Sequence, residues 1–110
     1  MEKQKYAAIV LAAGSGKRMN SQVHKQYLII QDRPVLYYSL KEFEDSAVDE
    51  IVLVVGKGEE EFCRREIVDK YGISKVKAIV EGGKERYHSV FEGLKQTSDA
   101  DYVLIHDGAR

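Results

Sequence analysis

The feature that most constrains this chain is an alternation. Short, nearly unbroken apolar runs rich in β-branched residues, at 6–11, 50–55, 76–80 and 102–105, are separated by stretches whose apolar residues recur at helical spacing. A run without polar interruption suits a strand covered on both faces, which is the condition of a parallel sheet. Strand and helix by turns, with no internal repeat and no low-complexity segment between them, predict an α/β fold with at least four parallel strands. A length of 110 residues makes this one small domain.

Between the runs the helices can be placed. Pro34 suits the first residue of a helix carrying Leu36, Leu40 and Phe43 at i, i+4 and i+7. A second helix is expected from about Glu59 through Cys63, Ile67 and Tyr71 to a stop at Gly72. A third spans 86–95 with Val90 and Leu94 turned inward. The segment 21–30 is less regular, and Tyr27-Leu28-Ile29-Ile30 reads as a short strand before a turn at Gln31-Asp32-Arg33-Pro34.

The last apolar run raises a question of extent. Tyr102-Val103-Leu104-Ile105 lacks alternation, so it is expected to be buried on both faces, yet five residues follow it, with no helix to cover it and no strand to pair its edge. The expectation is the front part of a longer protein, poorly folded or self-associating when made alone. The alternative is a 110-residue protein whose edge a partner chain covers.

Charge and composition exclude several classes of function. Seventeen Lys and Arg stand against 18 Asp and Glu, a formal net charge of −1, with no basic block to bind nucleic acid or an anionic membrane. The longest apolar stretch, 7–13, is far too short to span a bilayer, and the five residues before the first run offer no signal-peptide cleavage site. A soluble, cytoplasmic protein is expected. The single cysteine, Cys63, has no partner for a disulfide or a zinc site and reads as a small core residue.

In an open parallel sheet, ligands bind beyond the carboxyl ends of the strands, so the residues after each run carry the chemistry. The first run leads into Leu11-Ala12-Ala13-Gly14-Ser15-Gly16-Lys17-Arg18-Met19, small residues that let a backbone approach a phosphate, followed by two cations. This is either a phosphate loop or a tight turn. It is not a Walker A loop, since Arg18 follows Lys17 where Ser or Thr would stand, nor a dinucleotide fingerprint, since Met19 replaces the third glycine. Lys25 adds a further cation close by.

Glu81-Gly82-Gly83-Lys84-Glu85-Arg86-Tyr87-His88-Ser89 follows the third run: paired glycines with exposed N–H groups for a base edge or an anion, and a hydroxyl in the next helical turn. A plain strand-to-helix turn accounts for it equally. After the fourth run, Asp107 in His106-Asp107-Gly108-Ala109-Arg110 is sited to hold Mg²⁺ or a ribose hydroxyl, or simply to cap the loop, and His106 reads as structural. Together, a basic glycine loop, a second glycine turn and an acidic strand tip at one end of one sheet suggest a nucleoside triphosphate bound with Mg²⁺ for transfer at phosphorus.

Ala12-Ala13-Gly14-Ser15-Gly16-Lys17-Arg18-Met19, Lys25-Gln26-Tyr27, Gly82-Gly83 with Arg86 and Ser89-Val90, and the closing His106-Asp107-Gly108-Ala109-Arg110 resemble the 2-C-methyl-D-erythritol 4-phosphate cytidylyltransferases. The resemblance covers the whole chain but about the front half of such an enzyme. It implies a Rossmann-like, mostly parallel sheet flanked by helices, with 1–110 as the amino-terminal, CTP-binding part of one cytidylyltransferase domain. It further implies transfer of a cytidylyl group from CTP to methylerythritol phosphate with Mg²⁺, in non-mevalonate isoprenoid synthesis, by a homodimer.

Carried over by position, Ala12, Ala13, Gly14 and Gly16 would line the nucleotide site, and Arg18 and Lys25 would stabilise charge on the α-phosphate. Gly83 and Ser89 would recognise cytosine, Asp107 would reach the ribose or the metal, Ala109 would lie near the ribose, and Arg110 would hold methylerythritol phosphate. The ribitol 5-phosphate cytidylyltransferases are the nearest rival. They usually carry Gly-Gly where this chain has Ala13-Gly14, and Ser-Val where it has Gly108-Ala109. A nucleotide-binding piece without turnover is the alternative of a different class.

Overall fold

The computed structural model describes residues 4–12, 29–30 and 33–108. Its centre is a four-stranded sheet in the order β5–β4–β1–β6, with every neighbouring pair parallel: β1 (Tyr6–Ala12), β4 (Glu50–Val55), β5 (Val76–Glu81) and β6 (Tyr102–Asp107). A two-stranded antiparallel ribbon, β2 (Ile29–Ile30) with β3 (Arg33–Pro34), stands apart from it. Among the described residues no helix is long and apolar enough to cross a membrane.

The unbroken apolar runs do what their pattern requires in the middle of the sheet. Residues 7–12 and all of β4 are buried, and alternate side chains feed two cores. On one face Ala8, Val10, Ala12, Ile51, Leu53 and Val55 pack under α1 (Val35–Glu44) and α2 (Glu60–Cys63). On the other Ile9, Leu11, Val52 and Val54 meet Val90 of α3 (Arg86–Lys95). Cys63 is fully buried in the first core, as a small hydrophobe.

At three points the structure departs from the sequence pattern. Pro34 is not the first helical residue; it closes the β2–β3 ribbon opposite Ile29, and the helix starts at Val35. A proline has no N–H to extend a ladder, so its fixed φ ends the ribbon and delivers the chain to the helix one position later. Ile29–Ile30 form a strand as expected, while Tyr27 and Leu28 lie outside the described residues.

The second helix does not stay α-helical. From Arg64 to Asp69 it widens into a π-helical stretch before stopping at Gly72, whose φ of +69° takes the left-handed conformation glycine tolerates. The widened turn lets two consecutive residues, Ile67 and Val68, both enter the core behind Cys63.

In α3 the buried positions are Ser89 and Gly93, with Val90 half-buried beside them, whereas Leu94 is 42% exposed rather than inward. The cause is close approach: a Cβ built on Gly93 would lie 2.7 Å from Ile9 Cγ2. The helix meets β1 backbone-first at Gly93, and Leu94 is rolled to its flank.

The last run agrees with its reading as a strand left uncovered: among the described residues Tyr102, Leu104 and Ile105 of β6 are 49%, 48% and 43% exposed. It lies outermost, beyond the strands that α3 crosses. Such an edge offers unpaired N–H and C=O groups and apolar side chains to any second chain. A polypeptide of residues 1–110 made by itself is expected to self-associate. A well-dispersed monomer in sedimentation would contradict this.

The amino ends of the strands are tied by charge. Lys5 Nζ lies 2.6 Å from Asp99 Oδ2 and 3.1 Å from Glu50 Oε1, while Lys77 reaches the same two carboxylates at 3.8 and 3.3 Å. The hydrogen bond donated by Lys5 holds the Asp99 carboxyl below its ordinary 3.8, and the Asp99 and Glu50 carboxylates that accept from it hold the Lys5 ammonium above 10.5. The carboxylate contribution is therefore present above pH 3.8 and is lost as pH falls through the lowered value. The ammonium contribution is present below pH 10.5 and is lost as pH rises through the raised one. In urea melts across pH, Lys5→Ala should be less stable than the parent at neutrality, with the gap shrinking at both extremes. A gap constant down to pH 2 would refute the linkage.

A candidate nucleotide site at the switch point

The path of the chain defines where a ligand fits. From β1 it moves outward through β4 to β5 with α1 and α2 on one face, then α3 carries it back across the other face to β6, on the far side of β1. The direction reverses between β1 and β6. In a parallel sheet the loops at such a point diverge to opposite faces and leave a crevice beyond the carboxyl ends.

Ala12 ends β1 at this crevice, 3% exposed. Asp107 ends β6 beside it, in register with Leu11, and the following N–H of Gly108 donates to Leu11 O at 2.8 Å. Position 108 is tight, since a Cβ there would lie 2.8 Å from Leu36 Cδ1 and 3.0 Å from Val10 Cγ1. His106 faces α1, where its Nε2 lies 3.3 Å from Ser39 Oγ and its ring stands edge-on to Phe43, while Ser39 Oγ donates to Gly108 O at 3.2 Å. These contacts fix the strand tip that presents Asp107.

On the β5 side, Gly82 N–H donates to Val55 O at 2.8 Å, and Glu81 Oε2 accepts from Gly58 N–H at 2.9 Å, which anchors the glycine pair to the neighbouring loop. Gly83 packs so closely on His88 that a Cβ would collide with that side chain. The His88 ring turns back to accept from Glu85 N–H at 3.3 Å and closes the start of α3. Ser89, one residue on, is 4% exposed, and among the described residues its hydroxyl makes no hydrogen bond. A buried hydroxyl without a partner is costly unless a ligand supplies one.

Ala12, Gly83, Ser89 and Asp107 are thus the expected site residues that the structure describes. Ala13, Gly14, Gly16, Arg18, Lys25, Ala109 and Arg110 lie outside the described residues. Two residues quoted only as part of a motif acquire contacts. His88 forms the packing wall behind Gly83, and Arg86, the first residue of α3, places Nε 3.4 Å from Asp107 Oδ1. A basic residue opening the helix after a glycine pair, in a chain with an acidic strand tip, was the signal for the second.

Among the described residues no group of three or more His, Cys, Asp or Glu could hold a metal ion. A single carboxylate at the crevice nevertheless fits Mg²⁺, which is commonly held by one or two carboxylates together with substrate phosphates.

An open parallel sheet with its crevice at this reversal is the architecture of the Rossmann-like nucleotidyltransferases. The inositol-1-phosphate CTP transferase of T. maritima shares it with a TM-score of 0.68 over 86% of this chain and 40% of its own; at 24% identity the likeness is one of fold. A solved 4-diphosphocytidyl-2C-methyl-D-erythritol synthase from Anaerococcus prevotii matches with a TM-score of 0.76 at 33% identity, covering 97% of this chain and 44% of that one. The 2-C-methyl-D-erythritol 4-phosphate cytidylyltransferase of Lachnoclostridium phytofermentans is 58% identical over 107 residues, 97% of this chain and 46% of its own length. That of Clostridium kluyveri is 54% identical over 104 residues. The pattern defining the IspD family, 2-C-methyl-D-erythritol 4-phosphate cytidylyltransferase, matches residues 6–110, and the chain belongs to that family. It spans about half the length of the curated relatives it matches.

Proposed function

We propose that the protein transfers a cytidylyl group from CTP to 2-C-methyl-D-erythritol 4-phosphate, giving the diphosphocytidyl alcohol and pyrophosphate, as a step in isoprenoid synthesis. Membership of the family supports the reaction. What supports its placement is the crevice between β1 and β6, which Asp107 borders at the end of β6, together with the Ser89 hydroxyl, buried and without a hydrogen bond among the described residues.

A phosphate oxygen of the alcohol phosphate forms a bond to the α-phosphorus of CTP as the bond to pyrophosphate breaks, so no covalent enzyme intermediate is required. Ala12, Ala13, Gly14 and Gly16 line the nucleotide, and Arg18 and Lys25 meet charge that grows on the α-phosphate in the transition state. Gly83 and Ser89 select cytosine through backbone and hydroxyl, Ala109 abuts the ribose, and Arg110 binds the phosphate of the acceptor. Asp107 holds the ribose or Mg²⁺, which would neutralise triphosphate charge when bound. A homodimer in the cytoplasm completes the proposal.

Ser89→Ala tests it. Loss of the hydroxyl leaves a polar group of the base unpaired, so CTP use should weaken by about 1–3 kcal/mol, with a smaller effect on UTP. A competition assay in a form with the whole length of the family enzyme reads the difference. Equal losses for both nucleotides would remove Ser89 from base selection, and CTP binding without product would reduce the protein to a binding module.

A further inference from the structure

Among the described residues, a pair between Arg86 and Asp107 links the helix behind the glycine pair to the tip of β6. Arg86 Nε lies 3.4 Å from Asp107 Oδ1, with side-chain exposures of 61% and 28%. The distance is long for a charge-assisted hydrogen bond, which normally falls near 2.7–2.9 Å. Exposed pairs of this kind contribute little to stability, because solvent screens them and ordering the long side chain is unfavourable. The Asp107 carboxylate, by contrast, is mostly withdrawn from water and benefits from a cation beside it. A weakly held arginine on a half-buried carboxylate is easily exchanged.

We infer that Arg86 is a stand-in cation: it holds Asp107 in the nucleotide-free protein and gives the carboxylate up when a divalent cation arrives with the nucleotide. This rests on the reading of the crevice as a site for CTP and Mg²⁺, and it makes Arg86 a positioning residue acting through Asp107. Two consequences follow from electrostatics. Arg86 competes with the metal, so neutralising it tightens cation binding instead of weakening it. The guanidinium is released on loading, free to turn its N–H donors elsewhere in the crevice.

The test uses the protein at the full length of the family enzyme, without acceptor, so that no turnover occurs. Binding of Mn²⁺ in the presence of CTP is followed by the electron paramagnetic resonance of the free ion. Arg86→Gln is expected to tighten Mn²⁺ binding about three- to fivefold, the scale of a screened surface pair, and Arg86→Lys to return it toward the parent value. A merely structural Arg86 would leave Mn²⁺ affinity unchanged or weaker in Arg86→Gln, and that result overturns the inference. A second measurement needs no variant of Arg86. The Nε–Hε resonance of Arg86 in the parent protein should shift toward that of a free guanidinium on adding CTP with Mg²⁺, and Asp107→Asn should produce the same shift without nucleotide. An unmoved resonance in protein that binds CTP overturns the inference alone. Failure of the parent to bind CTP with Mn²⁺ at all overturns the nucleotide reading and this inference with it.

Discussion

Alanine at position 18, in a form carrying the whole length of the family enzyme, is expected to lower kcat about 10²–10³-fold, the scale of losing one donor to a developing oxyanion. The proposed reaction passes through a crowded phosphorus centre whose equatorial oxygens carry more charge than those of bound CTP. A cation that meets this extra charge contributes to the rate, and its loss appears in kcat more than in CTP affinity. Steady-state kinetics would separate the roles. A raised KM for CTP with kcat intact would make Arg18 a clamp for the ground-state phosphates.

The largest expected effect on stability lies at Leu53, in the middle of β4 and fully buried under α1 and α2. Truncation to alanine removes three carbons from a site walled by Val10, Val55, Leu40 and Ile67 in the same cluster. Flanked by β1 and β5, the strand has little freedom to collapse into the space. The expected loss is about 2–5 kcal/mol, read as a lower urea midpoint at unchanged slope. A loss under about 1 kcal/mol would mean that the core repacks, as volume-tolerant cores do.

Both predictions start from features visible in the sequence, but to different depths. The runs that became β1 and β4 were legible because burial on both faces leaves a signature in every residue, and the parallel sheet followed from it. The same signature in Tyr102-Val103-Leu104-Ile105 did not guarantee cover, because apolar pattern records what a strand can bury and says nothing of which element lies on it. The roll of α3 was hidden for another reason. Helical periodicity ranks Val90 and Leu94 as the inward pair, whereas the nearest approach is made by Gly93, a residue with no side chain to count. Gly83, Ser89 and Asp107 stood out in the sequence as candidates because glycine turns and acidic strand tips are local patterns. The pairing of Arg86 with Asp107 joins residues 21 positions apart and became visible only in the fold.

The bare backbone at Gly93 has a consequence for the other end of its helix. Ser89 and Arg86 lie four and seven residues before it, about 6 and 10 Å along the axis at 1.5 Å per residue. Gly93 resting on Ile9 is thus the fulcrum of a lever whose other arm carries the Ser89 hydroxyl and the Arg86 guanidinium. Bulk added beneath the fulcrum would tip that arm away from β1, so the proposed preference for cytosine would become adjustable from Ile9, at the far end of the helix from Arg86.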